Sequence, residues 1–334
     1  MVRTQADNSS GAAVQHSEGR KSHMAKKIVV FGSFVVDLTS RTQKFPTPGE
    51  TVIGSSFVLG PGGKGSNQAV AAHRAGADVT LVTKVGKDVF GSVAKNFYIS
   101  EGMNTGFIFE DAQKETGTAL IMVNEKENQN MILVVSGACA NITDADIEMA
   151  SDLIRSADIL LLQLEINLEA LEKVIHIAHE SNTKVILNTA PAQALPDELY
   201  KKIDIVTPNE SEASVLTGVN VMNYEDARKA AKDFLIKGVK SVVITMGSHG
   251  TYVTDGKSED IIERIHVDVV DTTGAGDAFN GGFVMALAEG KDIFEAARYG
   301  NVTGALAVTK PGTAPAMPYR RDILALYDRI YGRK

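Results

Sequence analysis

The run Asp271-Thr272-Thr273-Gly274-Ala275-Gly276-Asp277 stands directly before an apolar, helix-length segment over residues 278–287. A glycine-rich turn at a helix start directs free backbone N–H groups and the positive end of the helix dipole at one spot, which favours an anion. Asp277 is itself negative, so it fits this place if its carboxylate takes a proton from a hydroxyl arriving beside a phosphate. The alternative is that Asp277 only caps the helix, because Asp is a favoured cap. The run alone leaves both interpretations open.

A second glycine-rich run, Gly60-Pro61-Gly62-Gly63-Lys64-Gly65-Ser66-Asn67-Gln68-Ala69, follows a strand-like stretch over 51–59 and opens a predicted helix through residue 77. Its spacing matches the dinucleotide fingerprint, but no acidic residue ends the next predicted strand, over 79–83, to bind a ribose. It is not a Walker loop, because Gly65 stands where that motif requires Ser or Thr. The run is typical of a flexible loop that binds a polyhydroxylated molecule through Lys64 and Asn67.

Short apolar stretches alternate with amphipathic helical stretches along most of the chain. The predicted strands cover residues 28–32, 79–85, 159–164, 184–188, 203–206 and 241–246. This alternation predicts an α/β fold with a parallel central sheet flanked by helices on both faces. Two regions, 35–59 and 116–135, alternate instead at period two and predict small antiparallel strands, which bury little apolar surface alone.

Composition restricts the class of protein. The 334 residues, 44% of them hydrophobic, suffice for one large α/β unit. The net charge of −7 argues against nucleic acid as a partner. The single Cys139 excludes a disulfide framework and predicts a cytoplasmic location. No apolar run approaches the roughly 18 residues of a membrane span, and the polar residues 1–23 are predicted to be a disordered, expression-derived leader.

The two glycine-rich runs, in this order and with this separation, resemble the ribokinase-like (PfkB) family of sugar kinases. The resemblance extends from about Lys26 to the C-terminus. Further matching segments are Gly32-Ser33 with Asp37, residues 45–51, 163–165, 188–192, 207–212, 245–248 and 310–313. The resemblance implies a ribokinase-like three-layer fold over 24–334, with a β lid over 34–60 and 115–136 that covers the sugar and joins two copies in a homodimer.

The same resemblance implies phosphorylation of the 5-hydroxyl of D-ribose by Mg²⁺·ATP. Asp277 would be the general base, and the N–H groups of Gly274, Ala275 and Gly276 would form the anion hole. The sugar-binding positions that match are Val35, Asp37, Gly63, Lys64, Asn67, Glu165 and Asp277. Because Asp37 and Glu165 each follow a predicted strand, we expect both at the carboxyl edge of the sheet, where α/β proteins bind ligands.

Further positions match the nucleotide and metal sites of the family. The ATP-binding positions are Asn209, Glu212, Thr245, Gly247, Ser248, Gly250, Gly276 and Asn301, with Glu212 also near the Mg²⁺. The positions that match a K⁺ site of the family are Asp271 and the carbonyls of Thr273, Ala307, Lys310 and Gly312. Ala316 stands where some members of the family offer a serine oxygen, which weakens the expected activation by K⁺.

One departure bears on the choice of sugar. Members that phosphorylate ribose typically read Gly-Ser-x-Asn-x-Asp after the first strand, whereas here Val35 replaces the asparagine. Members that act on 2-deoxyribose also have an apolar residue at this position. We therefore predict ribose as the substrate with appreciable activity on 2-deoxyribose, and fructose or a nucleoside as alternatives. A sugar-binding sensor without chemistry is the alternative of another class, against which the intact Asp277 and Glu212 argue.

Overall fold

The computed structural model describes residues 26–127 and 129–332, so the predicted leader lies outside the described residues. The strands are β1 (Lys27–Phe31), β2 (Val35–Thr42), β3 (Ser56–Gly62), β4 (Asp78–Gly86), β5 (Ile108–Asp111), β6 (Thr116–Asn124), β7 (Gln129–Gly137), β8 (Ile159–Leu162), β9 (Lys184–Leu187), β10 (Ile205–Val206), β11 (Ser241–Thr245), β12 (Thr251–Thr254) and β13 (Glu259–Ile262). The helices are α1 (Lys64–Arg74), α2 (Val89–Ser100), α3 (Asp144–Arg155), α4 (Leu168–Glu180), α5 (Asp197–Tyr200), α6 (Glu210–Thr217), α7 (Tyr224–Ile236), α8 (Ala275–Ala288), α9 (Ile293–Ala307) and α10 (Arg320–Tyr331).

Nine strands form the central sheet in the order β13-β12-β11-β10-β9-β8-β1-β4-β5. All neighbours from β5 to β11 pair in parallel. Successive side chains of β1 point to opposite faces of the sheet, and because those from Ile28 to Phe31 are apolar, both faces must be buried by helices. Ile28 and Val30 are buried against α1, α8 and α9, whereas Val29 and Phe31 are buried with α3 and α4. The predicted α/β fold with helices on both faces is therefore confirmed.

The predicted second, smaller sheet is also present, in the order β3-β2-β6-β7. The β2–β3 and β6–β7 pairs are antiparallel, as expected, but β2 and β6 pair in parallel. This parallel contact arises because the two hairpins lie side by side, and each contributes its first strand to the middle of the sheet. We call these four strands the lid.

Several predicted boundaries were wrong. The strand expected over 51–59 is β3, at 56–62, so Gly60, Pro61 and Gly62 pair with β2 and are not a flexible loop. Asp37 is the third residue of β2 and does not lie at the C-terminal end of a strand, where the sequence predicts it. The helix α1 ends at Arg74, before the expected residue 77, because Gly76 adopts a left-handed φ of 96° that interrupts helical geometry.

The antiparallel strands β12 and β13 and the edge strand β5 were not predicted. A tight turn joins β12 to β13, with the Asp255 N–H donating to the Ser258 carbonyl at 3.2 Å, so this pair is antiparallel. The Asp255-Gly256 dipeptide is a hairpin signal that points to this turn. In the part of the chain that the structure describes, no helix has the length and apolar character needed to cross a bilayer.

Candidate active site

Polar residues follow the ends of neighbouring strands at the carboxyl edge of the central sheet. Gln163, Asn188 and Thr207 directly follow β8, β9 and β10, and Ser33 lies two residues after β1. These strands are adjacent in the sheet, so their C-terminal ends place the polar side chains side by side. Ligands of α/β proteins bind at this edge. Of the predicted residues, Glu165, Lys64, Asn67 and Asp277 lie around it, whereas Val35 and Asp37 belong to the lid.

Glycines allow α1 to approach the backbone that follows β1, and allow α8 to pack closely on α1. A Cβ on Gly65 would lie 2.5 Å from the Ser33 nitrogen, and one on Gly281 would lie 2.3 Å from the Ala71 Cβ. Contacts that short do not occur between real side chains and backbone, so both positions require glycine. The second glycine-rich run thus serves close packing of α1 on the sheet.

Asp277 is buried at the third position of α8, with both carboxylate oxygens hydrogen-bonded by neutral amides. Asn67 Nδ2 donates to Oδ2 at 2.9 Å, and Gln68 Nε2 donates to Oδ1 at 2.9 Å. The N-cap of this helix is Gly274 and receives no side-chain hydrogen bond, so Asp277 does not act as the cap. Burial raises the pKa of the Asp277 carboxyl, and the positive charge of Lys64 opposes that rise. A buried carboxylate with a raised pKa is suited to accept a proton.

Backbone donors at the start of α8 face the same region. Gly274 adopts a left-handed φ of 77°, which turns the chain into the helix. The Ala275 N–H donates to the Thr272 carbonyl at 3.2 Å and is therefore already engaged. Within the described residues, the N–H groups of Gly274, Gly276 and Asp277 have no such partner. A Cβ on Gly276 would meet no atom within 4 Å, so the space beside this peptide is open.

Glu165 connects the sheet edge to the start of α1. Its Oε2 accepts hydrogen bonds from the Ser33 hydroxyl and, at 2.9 Å, from the Lys64 N–H. The negative charge of Asp277 raises the pKa of the Lys64 ammonium, with Glu165 adding to the effect. Lys64, Glu165 and Asp277 thus lie close enough to interact electrostatically.

Asp37 projects from β2 onto the opposite strand of its hairpin. A Cβ on Gly62 would lie 2.1 Å from the Asp37 Oδ1, so the carboxylate occupies the space that a side chain at 62 would need. The Thr313 hydroxyl donates to Asp37 Oδ2 at 2.8 Å. Burial raises the pKa of Asp37 to about 6, with the negative charges of Asp277 and Glu165 adding to the rise. Asp37 therefore lies near the two other carboxylates although it belongs to the lid.

Val35 and Gly63 lie where the lid joins the body of the protein. Val35 is buried, and its Cγ1 would lie 2.9 Å from a Cβ on Gly117, so the side chain packs against β6. Gly63 adopts a left-handed φ of 89° and packs against the backbone of Phe34 and Val35. A Cβ at position 63 would lie 2.9 Å from the Val35 nitrogen. The chain therefore requires glycine at 63.

Asn67 carries an unused acceptor beside the base. Its Nδ2 is bound to Asp277, but its Oδ1 is buried and has no hydrogen-bond partner. A buried amide oxygen without a partner is unfavourable by about 1–3 kcal/mol. A substrate hydroxyl that donates to this oxygen would remove the penalty, and the same hydroxyl-rich ligand would then lie beside Asp277.

The predicted phosphate-side residues Asn209 and Glu212 form a capping box at the start of α6. Asn209 Oδ1 accepts from the Glu212 N–H at 2.8 Å, and Glu212 Oε2 accepts from the Asn209 N–H at 3.0 Å. Burial raises the pKa of Glu212, and the Lys64 charge opposes the rise. An isolated parallel bridge joins Asn209 to Thr245 at the end of β11. These three residues are therefore brought together.

The rest of the predicted nucleotide site is the turn between β11 and β12. Gly247 and Gly250 both have left-handed φ values, 47° and 95°, and Ser248 lies between them in a 3₁₀ turn. A Cβ on Gly250 would lie 2.1 Å from the Ile262 carbonyl oxygen, which excludes any other residue. Asn301 lies on α9, and its Nδ2 donates to the Glu263 carbonyl at 2.8 Å.

The predicted K⁺ residues meet where the loop before α8 contacts the segment after α9. Asp271 Oδ1 accepts from the Thr273 N–H at 2.9 Å, and its Oδ2 accepts from the Gly312 N–H at 3.0 Å. Burial opposes ionisation, but these hydrogen bonds outweigh it and lower the pKa of Asp271. The Lys310 N–H donates to the Ala307 carbonyl at 3.2 Å within the same segment. Across 26–127 and 129–332, no group of three or more His, Cys, Asp or Glu side chains forms a metal cluster.

The sequence interpretation missed four residues that touch site carboxylates or hold them in place. Gln68 binds Asp277, Ser33 binds Glu165, Thr313 binds Asp37, and Asn280 Nδ2 donates to the Gly276 carbonyl at 2.8 Å. Gln68, Ser33 and Thr313 stand inside segments quoted in the sequence analysis, whereas Asn280 is recognisable only from its partner in the fold.

The family model described as pfkB family carbohydrate kinase matches residues 25–320. A ribokinase of Haemophilus influenzae is 42% identical over 301 residues, covering 90% of this chain and 98% of that protein. A deoxyribokinase of Salmonella typhi is 36% identical over 292 residues, covering 87% and 95%. The structure of Arabidopsis thaliana ribokinase complexed with ribose and ATP superposes with a TM-score of 0.83 at 31% identity, over 91% of this chain and 99% of that chain.

Proposed function

The chain belongs to the pfkB family of carbohydrate kinases, and we propose that it transfers the γ-phosphoryl group of ATP to the 5-hydroxyl of D-ribose. The observation that carries this proposal is the buried Asp277 carboxylate, held by two neutral amides beside unpaired N–H groups at the start of α8. Incubation with ribose and ATP should yield ADP and a phosphomonoester on carbon 5, identified by ³¹P NMR. A product phosphorylated elsewhere, or none, would contradict the proposal.

Phosphoryl transfer requires mainly positioning and stabilisation of charge. As the 5-hydroxyl oxygen attacks the γ-phosphorus, Asp277 accepts its proton, the new O–P bond forms, and the bond to the β-phosphate oxygen breaks with its electrons remaining on ADP. Of the predicted anion hole, the N–H groups of Gly274 and Gly276 stabilise the charge on the transferred group, and the Asp277 N–H takes the place of the Ala275 N–H, which donates to the Thr272 carbonyl. The sugar is held by the predicted set Asp37, Gly63, Lys64, Asn67 and Glu165.

We propose that Mg²⁺ acts with ATP near Glu212. Magnesium keeps several waters and binds largely through substrate phosphates, so the single half-buried carboxylate of Glu212 beside Asn209 fits its needs. Bound there, it would neutralise charge on the phosphates.

We propose that K⁺ binds at the Asp271 carboxylate, which lies against the backbone of Thr273 and Gly312. We expect K⁺ to stimulate turnover modestly and Asp271→Ala to abolish the stimulation, because Asp271 is the anionic ligand of the proposed site. The measurement compares turnover in potassium chloride with turnover in the chloride of a bulky organic cation. Equal wild-type rates in the two salts would contradict the site.

We further propose a homodimer formed through the lid. The exposed face of the lid is apolar along β7 and β3, where Leu133 is 61% exposed and Phe57 is 62% exposed. Contiguous exposed apolar surface marks an interaction site. Light scattering should give twice the mass of one chain, and a single-chain mass at micromolar concentration would contradict the dimer.

The predicted cytoplasmic location rests on the single cysteine and stays a prediction.

A second candidate substrate is 2-deoxyribose, favoured by Val35 and by the deoxyribokinase relative. If Val35 faces carbon 2 of the sugar, a 2-hydroxyl there has no hydrogen-bond partner, which weakens ribose by about 1–3 kcal/mol and leaves 2-deoxyribose unaffected. Val35→Asn should then raise the ribose-to-deoxyribose ratio of kcat/KM by roughly tenfold or more. An unchanged ratio would show that Val35 does not face carbon 2.

A further inference from the structure

A continuous set of neutral hydrogen-bonding side chains lies beneath Asp277. We define the amide network as Gln163, Asn188 and Thr207, which end β8, β9 and β10, with Gln68 from α1 and Asn280 from α8. All five are at least 93% buried, since the most exposed of them, Asn188, has a relative exposure of 7%. Burying polar groups at this depth is unfavourable unless each is hydrogen-bonded. Each side-chain nitrogen and oxygen of the network has a partner except Gln163 Oε1, which is buried without one.

The contacts of the amide network run from the base to the anion-hole peptide. Gln163 Nε2 donates to Gln68 Oε1 at 2.7 Å, and Gln68 Nε2 donates both to Asp277 Oδ1 at 2.9 Å and to Asn188 Oδ1 at 3.0 Å. The two hydrogens of one amide group thus serve the base and the network at once.

The network then continues to the start of α8. Asn188 Nδ2 donates to the Thr207 carbonyl at 2.7 Å, and the Thr207 hydroxyl donates to Asn280 Oδ1 at 2.7 Å. Asn280 Nδ2 in turn donates to the Gly276 carbonyl at 2.8 Å. That carbonyl belongs to the peptide whose N–H is the Asp277 N–H, so base and anion hole are tied to the same set of side chains.

The chemistry of the donors matters for catalysis. A lysine or arginine in direct contact would favour the ionised form strongly and would make Asp277 a weaker base. Neutral amides favour the ionised form less, and they fix the direction of the carboxylate oxygens without supplying a charge. Gln68 is itself fixed by Gln163 and Asn188, so its amide cannot rotate without breaking their bonds.

We propose that Gln68 is a positioning residue for phosphoryl transfer, which acts through Asp277 and is held in place by the rest of the amide network. This inference rests on the proposed kinase function. A purely structural role for Gln68 is the competing interpretation, in which the network only satisfies its own buried polar groups. The two differ in whether the effect of Gln68 on turnover requires the Asp277 carboxylate.

A double-mutant cycle on the full-length protein distinguishes them. Gln68→Met, which keeps length and removes the donor, should lower kcat by about tenfold, the size expected of one hydrogen bond to a charged group, with KM for ribose nearly unchanged. In the Asp277→Asn background the same substitution should change kcat by less than about twofold, because the proton-accepting carboxylate through which Gln68 acts is then absent. Ser66→Ala is the matched control, since Ser66 is buried on the same helix and bonds Tyr98 instead.

The results of these assays test the positioning role of Gln68 and the proposed kinase function separately. An unchanged kcat in Gln68→Met, or an equal loss in both backgrounds, would overturn the positioning role while the kinase activity of the wild type stands. No ADP release by the wild type with any sugar would overturn the proposed function itself. If Gln68→Met does not fold by circular dichroism, Gln163→Met takes its place, because it removes the donor to Gln68 Oε1. It should give a smaller loss of kcat that is likewise absent in the Asp277→Asn background, and a loss in both backgrounds would again overturn the inference.

Discussion

Asp277→Asn should lower kcat by about a hundredfold to ten-thousandfold, the range expected when a general base is lost. The substitution keeps the shape of the side chain and removes the lone pair that accepts the proton. Little change in ribose affinity is expected, because the other predicted sugar-binding residues are intact. The measurements are steady-state kcat with saturating ATP and ribose, and the dissociation constant of ribose by calorimetry.

The competing interpretation of Asp277 predicts a different result. If the carboxylate only stabilised the start of α8, the variant would lose thermal stability and retain most of its turnover. The structure argues against this, since the Asp277 oxygens bind Asn67 and Gln68 and make no cap contact. A loss of kcat below about threefold in a folded variant would contradict the base assignment.

Gly62→Ala should lower kcat/KM for ribose by about 10- to 100-fold, mainly through KM. The new methyl group would lie 2.1 Å from Asp37 Oδ1 and 2.5 Å from its Oδ2, so the carboxylate must leave its present position. A lost hydrogen bond to a charged group accounts for a loss of this size. Steady-state kinetics with varied ribose at fixed ATP measure the effect.

Gly60→Ala is the matched control for this prediction. Gly60 lies two residues away in the same strand, β3, and a Cβ there would meet no atom within 4 Å. Both variants introduce one methyl group into the lid, so a general disturbance of the hairpin would affect both. Comparable losses in the two variants would contradict the role of Asp37 in binding the sugar.

The sequence predicted those parts of the fold that depend on local pattern. Apolar runs predicted β1, β4, β8, β9 and β11 within about two residues, because both faces of a parallel strand are buried. The run from 271 to 277 placed Asp277 correctly in the first turn of α8, since glycine before an apolar segment is a local signal. Boundaries inside the lid were less predictable, because hairpin register there decides which residues are strand.

The sequence placed residues at the carboxyl edge of the sheet where a local motif marks them, but it did not indicate contacts that depend on how distant segments pack. Asp277, Lys64 and Glu165 come together. The contact of Thr313 with Asp37 depends on how the C-terminal segment packs against the lid, which no local pattern encodes. Likewise, the engaged N–H of Ala275 follows from the detailed turn geometry and not from the presence of glycines around it.

A coupled ADP-release assay of the wild type, with ribose, 2-deoxyribose, fructose and adenosine as separate substrates, tests the proposed kinase function most directly. We expect the highest kcat/KM for ribose, appreciable activity on 2-deoxyribose, and much lower values for fructose and adenosine. The activity with ribose should disappear almost entirely in Asp277→Asn. A higher kcat/KM for fructose or adenosine than for ribose, or ADP release that does not depend on any of the four, would contradict the proposed function.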